Sequence, residues 1–501
     1  MRKYFKQDLP LDGLAIGEVK FDMKSRHQLP PLLAALQYIF ETPEINEQVF
    51  AILEQQILKD KKATGRPGMS LWEVLVLGCV RLLLNTDYDS LHDLSNNHES
   101  LRGILGVHTT GSVTEKHCYN LSTIKENVRL LDEETVQKIN TIIVKAGHQL
   151  KKKEKRGDDL KLEIKADTYP VESNVHFPTD MNLLWDSMRK SLDMIMLVIY
   201  FTDIKGWRKI NYLRKDLKKY YRITSEIHRK KGGNYKERLV NAAGNYLEKS
   251  KKLSKRIGKS MEEIEQLAAC NPKVIGILEE LKYYEKMLNK HIDLLERRII
   301  KGEKIPHKEK VFSIFEEHAE WLNKGKANGA IVIGHNVLIA TDQYGFIVDH
   351  HVAIQEVDSA LAIPLGARLS SSFAEGYVLE SISFDRGFHS KLAKENLNKI
   401  FEKVIMPKPG KKNKEEELEE AEADYVVKRK RHSAVESNIN ELEHCGVDRV
   451  PDKGLEGFKS YTALGVMAYN LKRLGKLLIA QKIAPRKSQK VKRKTAIRQA
   501  A

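Results

Sequence analysis

Three acidic residues stand where this chain could carry out metal-assisted chemistry. In "LKLEIKADTYPVES" the apolar residues Leu162, Ile164 and Ala166 alternate with period two, and the run then reaches Asp167. In "YVLESISFDRGF" a nearly apolar strand closes on Asp385. Glu436 lies in "RKRHSAVESNINELEH", a helical segment that follows a basic run. Taken singly, each reads equally well as a turn-former, a cap or a surface carboxylate. Together they point elsewhere, because open α/β sheets place ligands at the carboxyl ends of their strands. Carboxylates brought side by side repel one another unless a cation joins them. Mg²⁺ suits such a set, since it takes a few carboxylates and completes its shell with water and phosphate; Mn²⁺ could replace it.

The elements around these residues follow from local pattern. Up to about residue 150 the chain reads as short helices, with Ser70 capping "LWEVLVLGCVRLLL" after the basic turn "KKATGRPGMS". "GSVTEKHCYNLSTIKENV" continues that helical series, which suits either a DNA-reading helix-turn-helix or a packed bundle. After the strand at Asp167, Thr179 is placed to cap a helix. Residues 205–305 are Lys-rich and helical, with Val274, Ile277, Leu281, Tyr284, Leu288, His291 and Leu295 on one 3,4-spaced stripe. That stripe predicts packing against "LVNAAGNYLEKSKKL", with His291 as a filler of the stripe. "KVFSIF" reads as a strand, and Asp342 to Gly345 reads as the turn of a hairpin. A helix, the strand ending at Asp385, another helix and the strand "KVIMPK" complete an α/β order. His350 and His351 alternate to opposite faces, which argues against a shared zinc ion.

Lys and Arg number 85 against 68 acids, a net charge of +17, which favours a polyanionic partner. Eight Lys or Arg and no acid fall between Gln481 and Ala501. The four cysteines are widely spaced and form neither a disulfide framework nor a CxxC signal. The opening "MRKYFKQDLPLDG" has no apolar signal core, and "LDMIMLVIY" is too short to span a bilayer. A cytoplasmic, nucleoid-associated protein with no membrane partner is expected. No GxxxxGK[ST] segment signals a nucleotide-binding loop.

Several blocks taken together carry a resemblance: "KADTYPVESNVHFPTDMNLLWDS", "FSIFEEHAEWLNKGK", "GHNVLIATDQYGFIVDH", "SFDRGFHS" and "AVESNINELEHCGVDRV". With "GRPGMSLWEVLVLGCVRLLL", the chain from about residue 60 to 480 resembles bacterial insertion-sequence transposases of the ISNCY-like group, whose catalytic core is an RNase H-like DDE domain. The resemblance implies a mixed five-stranded sheet with a helical N-terminal domain (1–150) and a core begun at 158–204. A helical insertion (205–305), the rest of the core (306–480) and a basic tail (481–501) follow. It also implies a catalytic, metal-binding triad of Asp167, Asp385 and Glu436. Asp167 would bridge two ions, and Asp385 and Glu436 would each hold one. Water would first release a 3′-OH at the element end, and that hydroxyl would then attack target DNA without a covalent enzyme intermediate. Arg386, His389, Arg429, Lys430 and Arg431 are candidate DNA contacts by position; Arg386 and Arg431 read equally as ion-pair or surface residues, and His389 as a helix cap. Relatives often carry Tyr-Arg-Glu-Lys around the Glu; here Arg431 lies five residues before Glu436, and His444 stands near the position of the Lys. The implied partners are double-stranded DNA with terminal inverted repeats, target DNA and a second copy of the chain on DNA. The competing expectations are a structure-selective endonuclease that cuts without joining and a domesticated, non-catalytic DNA-binding protein.

Overall fold

Caps and burial patterns in the sequence account for where the elements begin. The computed structural model describes residues 14–59, 68–107, 118–155, 160–202, 204–323 and 331–499. Seven helices come first: α1 (Leu29–Glu41), α2 (Pro43–Ile57), α3 (Leu71–Leu83), α4 (Tyr88–Asn97), α5 (Glu99–Ile104), α6 (Leu121–Val128) and α7 (Glu133–Lys155). Strand β1 (Leu160–Ser173) leads to α8 (Asp180–Phe201), α9 (Ile210–Lys230), α10 (Tyr235–Cys270) and α11 (Pro272–Leu295). Then come β2 (Glu320–Asn323), β3 (Ile331–Thr341), β4 (Ile347–Ala353), α12 (Asp358–Ser372), β5 (Tyr377–Phe384), α13 (Lys391–Leu397) and β6 (Lys403–Ile405). The chain finishes with α14 (Lys414–Ala421), α15 (Ala423–His432), α16 (Ala434–His444), β7 (Arg449–Val450) and α17 (Leu455–Gln499). The basic turn at residues 60–67, much of "GSVTEKHCYN" and the end of "AEWLNKGK" lie outside the described residues.

The chain divides into two compact units, Met1–Asn174 with Leu322–Ala501, and Val175–Trp321. The first holds an open, mixed seven-stranded sheet in the order β2-β3-β1-β5-β6, with β4 on β3 and β7 on β1. β1 is antiparallel to β3 and parallel to β5 and β7, while β5 and β6 are parallel. Five strands were expected; β2 and β7 are the short additions. "KVFSIF" is not a strand. The Ser313 hydroxyl accepts from the Phe315 and Glu316 amides, a local turn that competes with a ladder, and Ile314 is buried beside Leu183 and Met287.

The N-terminal helices share one core with the sheet instead of forming a domain apart: Trp72, Leu75 and Ile143 belong to the cluster that contains Ile164, Val337 and Ile382. Ser70 caps α3 as expected, in a capping box with Glu73. The turn between β3 and β4 forms at Asp342, whose carboxylate accepts from the Tyr344 and Phe346 amides. His148 on α7 reaches the other oxygen of that carboxylate at 2.5 Å. Helix α17 passes so close to α1 that a Cβ on Gly475 would sit 1.7 Å from the Pro31 carbonyl oxygen. Gly475→Ala is therefore expected to lower stability by about 1–3 kcal/mol, the usual cost of overpacking, seen as a lower thermal unfolding midpoint.

In the second unit, α8 belongs with the helices that follow it. Thr179 caps α8 by accepting from the Asn182 amide, and Leu184, Met188, Leu192 and Ile195 pack with residues of α9, α10 and α11. The helical unit thus begins at Val175, where the sequence placed it at 205. The pairing of α10 with α11 follows the predicted stripe, and His291 is a buried member of it. No helix among the described residues is long and apolar enough to cross a membrane.

Candidate active site

The parallel register between β1 and β5 ends at Ala166 opposite Phe384, so the next residues along the two strands are Asp167 and Asp385. There the strands part. β1 does not stop at Asp167, as the sequence suggested, but runs on to Ser173, paired with β3 as far as Glu172. Its other edge gains a new partner only at Glu172, opposite Arg449 of β7. The two aspartates therefore flank a split in the sheet, the place where open sheets bind ligands.

Asp385 precedes the single 3₁₀ turn Arg386–Phe388 in an extended conformation, and its side chain makes no capping bond to that turn. The carboxylate is exposed and is not spent on local structure. Ser390 caps the following helix instead, accepting from the Ala393 amide. Asp167 is half-buried and accepts the Thr168 amide at 2.8 Å. Thr168 donates its hydroxyl to Asp358, the first residue of α12, at 2.9 Å. Gly387 lets the turn come close, since a Cβ there would sit 3.1 Å from Asp358 Oδ2. α16 buries Val435 and Leu442 in the core, which leaves Glu436 exposed in its first turn.

The surrounding carboxylates act on Asp167. Burial pushes the Asp167 carboxyl up to about 6, and repulsion from Asp385, Asp358 and Glu436 adds to it against the Thr168 hydrogen bond. His432 titrates below its ordinary value because it is buried, although Asp385 and Glu436 pull the other way. Its Nδ1 lies 3.0 Å from the Ser383 hydroxyl, while Nε2 is buried without a hydrogen-bond partner.

A polar seam leads up to this cluster. Glu163 and Lys165 pair in register with Ser381 and Ser383, so period two aligns them with Asp167 and Asp385 on one face. α15 covers that face with charge: Lys428 reaches Glu380 at 3.1 Å, Ser381 at 3.2 Å and Glu163 at 3.5 Å, and Arg431 reaches Glu163 at 3.2 Å. Burial depresses the Lys165 ammonium; Asp342 and Glu163 oppose that shift, and Arg431 and Lys428 reinforce it.

Asp167 and Asp385 follow the last paired residues of β1 and β5, and Glu436 is linked to Asp167 by charge alone. Arg386 and Lys430 are exposed. Arg431 is engaged by Glu163, and Arg429 by Glu420 at 3.4 Å. His389 is half-buried just past the turn. His350 is buried and His351 pairs with Glu356, so the two do point apart. Asp358 and His432 were not anticipated. His432 carried a signal, because it lies four residues before Glu436; Asp358 carried none.

Oxygen donors in mutual repulsion match a hard divalent cation by chemistry and by charge. Among the described residues no three His, Cys, Asp or Glu side chains stand close enough to hold an ion as placed. No protein-family profile, curated protein or solved structure matches this chain.

Proposed function

We propose that this chain is a DDE transposase with an RNase H-like core, cutting DNA at the ends of a mobile element and joining those ends to target DNA. The observation that carries this reading is the action of Asp385 and Glu436 on Asp167 at the split between β1 and β5. Asp167 and Asp385 come from adjacent strands where β1 and β5 part, and Glu436 from the first turn of α16 acts on Asp167 electrostatically, which supports the reading. The proposed substrate is double-stranded DNA with terminal inverted repeats, bound by two copies of the chain, and the proposed ion is Mg²⁺ or Mn²⁺.

When bound, a divalent cation supplies charge relief and Lewis acidity for phosphodiester chemistry. The three carboxylates would hold it, and Asp167 must first lose its proton, which binds more tightly than on an ordinary aspartate. His432 is fixed through Ser383 and is neutral near pH 7, which leaves Nε2 able to donate or accept one hydrogen bond beside the carboxylates. Arg386 and Lys430 supply cationic contacts for the phosphates on either side. Hydrolysis at the element end leaves a 3′-OH and a 5′-phosphate, and the 3′-OH then displaces a 3′-oxygen in the target.

A supercoiled plasmid carrying the gene with its natural flanks tests this reading. Purified protein with Mg²⁺ is expected to produce breaks bearing 3′-OH ends at the flanks, then joined products. Breaks without joining would favour the endonuclease. No break at all from folded protein would overturn the reading.

A further inference from the structure

The helical unit carries a feature that the carboxylate site does not use. α9 buries Ile210, Leu217 and Thr224 toward its neighbours. On the side away from them, Lys215, Lys218, Lys219 and Arg222 fall at i, i+3, i+4 and i+7, all exposed. Tyr212, one turn earlier, is 71% exposed. These four cations cover about two turns, on the order of 10 Å of helix, and no acid shares that stretch of the face. The next acid along it, Glu226, is taken by Lys230.

Several neighbouring cations are handled differently. Arg214, on the flank of α9, pairs with Asp193. On α10, Lys249 pairs with Asp216, Lys251 with Glu296 and Lys252 with Glu248; on α11, Lys282 pairs with Glu265. A solvated face on such a bundle normally alternates sign in this way. Four like charges at helical contact spacing repel instead, and a polyanion laid along the face would relieve that repulsion.

We propose that the outward face of α9 is a binding surface for the phosphate backbone of duplex DNA, with Lys215, Lys218, Lys219 and Arg222 each neutralising a phosphate. This deepens the DNA reading above and rests on it, but not on the carboxylates. A membrane surface fits less well, because the apolar side of α9 is already buried in the bundle and has nothing to insert.

The test uses the full chain with Lys215→Gln, Lys218→Gln, Lys219→Gln and Arg222→Gln combined. Gln keeps helix propensity close to that of Lys and Arg. Affinity for an arbitrary duplex of about 40 base pairs is measured in EDTA across roughly 50–200 mM salt. Loss of four phosphate contacts is expected to flatten the log–log salt slope by about 3.6, so the wild type loses roughly a hundredfold more affinity than the variant over that range. The pair Lys215→Gln with Lys219→Gln should give about half the change, which guards against misfolding of the fourfold variant. The control neutralises Lys249, Lys251, Lys252 and Lys282, and its slope should stay that of the wild type.

An unchanged slope in folded variants overturns the surface, and so does equal flattening in the control. Displacement of the duplex by double-stranded RNA or anionic vesicles at equal charge also overturns it. If Asp385→Asn still cuts DNA while the slope flattens, the chemistry falls and the surface stands. If cutting is lost but the slope holds, the surface alone falls.

Discussion

Asp385→Asn is expected to lower Mg²⁺-dependent DNA cleavage at least about a thousandfold, roughly 4 kcal/mol of barrier, with no change in DNA affinity measured in EDTA. The substitution preserves shape and removes one charge. Asp385 is exposed, and its side chain makes no cap to the turn that follows, so little local structure depends on the carboxylate. The unfolding midpoint should therefore stay close to that of the wild type, as for most surface changes. A cation site loses much more, because a neutral amide neither balances its charge nor binds it as tightly. Asp358→Asn makes an informative comparison. Asp358 acts on Asp167 by charge but is tied to the Thr168 hydroxyl, so its replacement is expected to reduce cleavage far less. Cleavage by Asp385→Asn at the wild-type rate would remove Asp385 from the site and the triad with it.

Local signals account for much of the architecture. The Ser70 and Thr179 caps, the turn at Asp342 and the α11 stripe all depend on residues within one or two turns of each other, and all stand as read. What escaped the sequence was decided at long range. Beyond Asp167 the alternation resumes in the opposite phase, with Tyr169 and Val171 buried. The charge that looked like a strand end is instead a residue inside β1, tolerated because β5 leaves and β7 has not yet arrived. α8 is apolar enough to cover a sheet, yet it packs with α9 to α11, and nothing in its own periodicity chooses between those partners. Asp358 meets Asp167 only because α12 starts beside β1. The three acidic residues stand out in sequence because each follows a recognisable apolar or basic pattern, whereas the neighbours that set the electrostatics of Asp167 come from pairings the sequence does not state.

That electrostatic setting gives the second large expectation. Asp167→Asn should abolish cleavage and, without metal, make the protein more stable at pH 7, by about 1–3 kcal/mol. Burial raises the folded-state carboxyl from 3.8 to about 6, and Asp385, Asp358 and Glu436 add repulsion. The folded chain thus holds this proton more tightly than the unfolded chain. Its contribution to stability is fully present below about pH 4 and is lost as pH rises through about 6, where the buried charge must be carried uncompensated. Asn carries no charge at any pH and keeps an oxygen to accept the Thr168 amide, so the stability difference should be near zero at pH 4 and greatest above pH 6. Denaturant titrations at the two pH values measure it. Adding Mg²⁺ at pH 7 should then raise the midpoint of the wild type toward that of the variant and leave the variant unmoved, because an ion that binds only the folded state stabilises by mass action. A variant less stable than the wild type at pH 7, or one that gains as much from Mg²⁺, would mean that Asp167 is a structural carboxylate, held by Thr168 and unrelated to any ion.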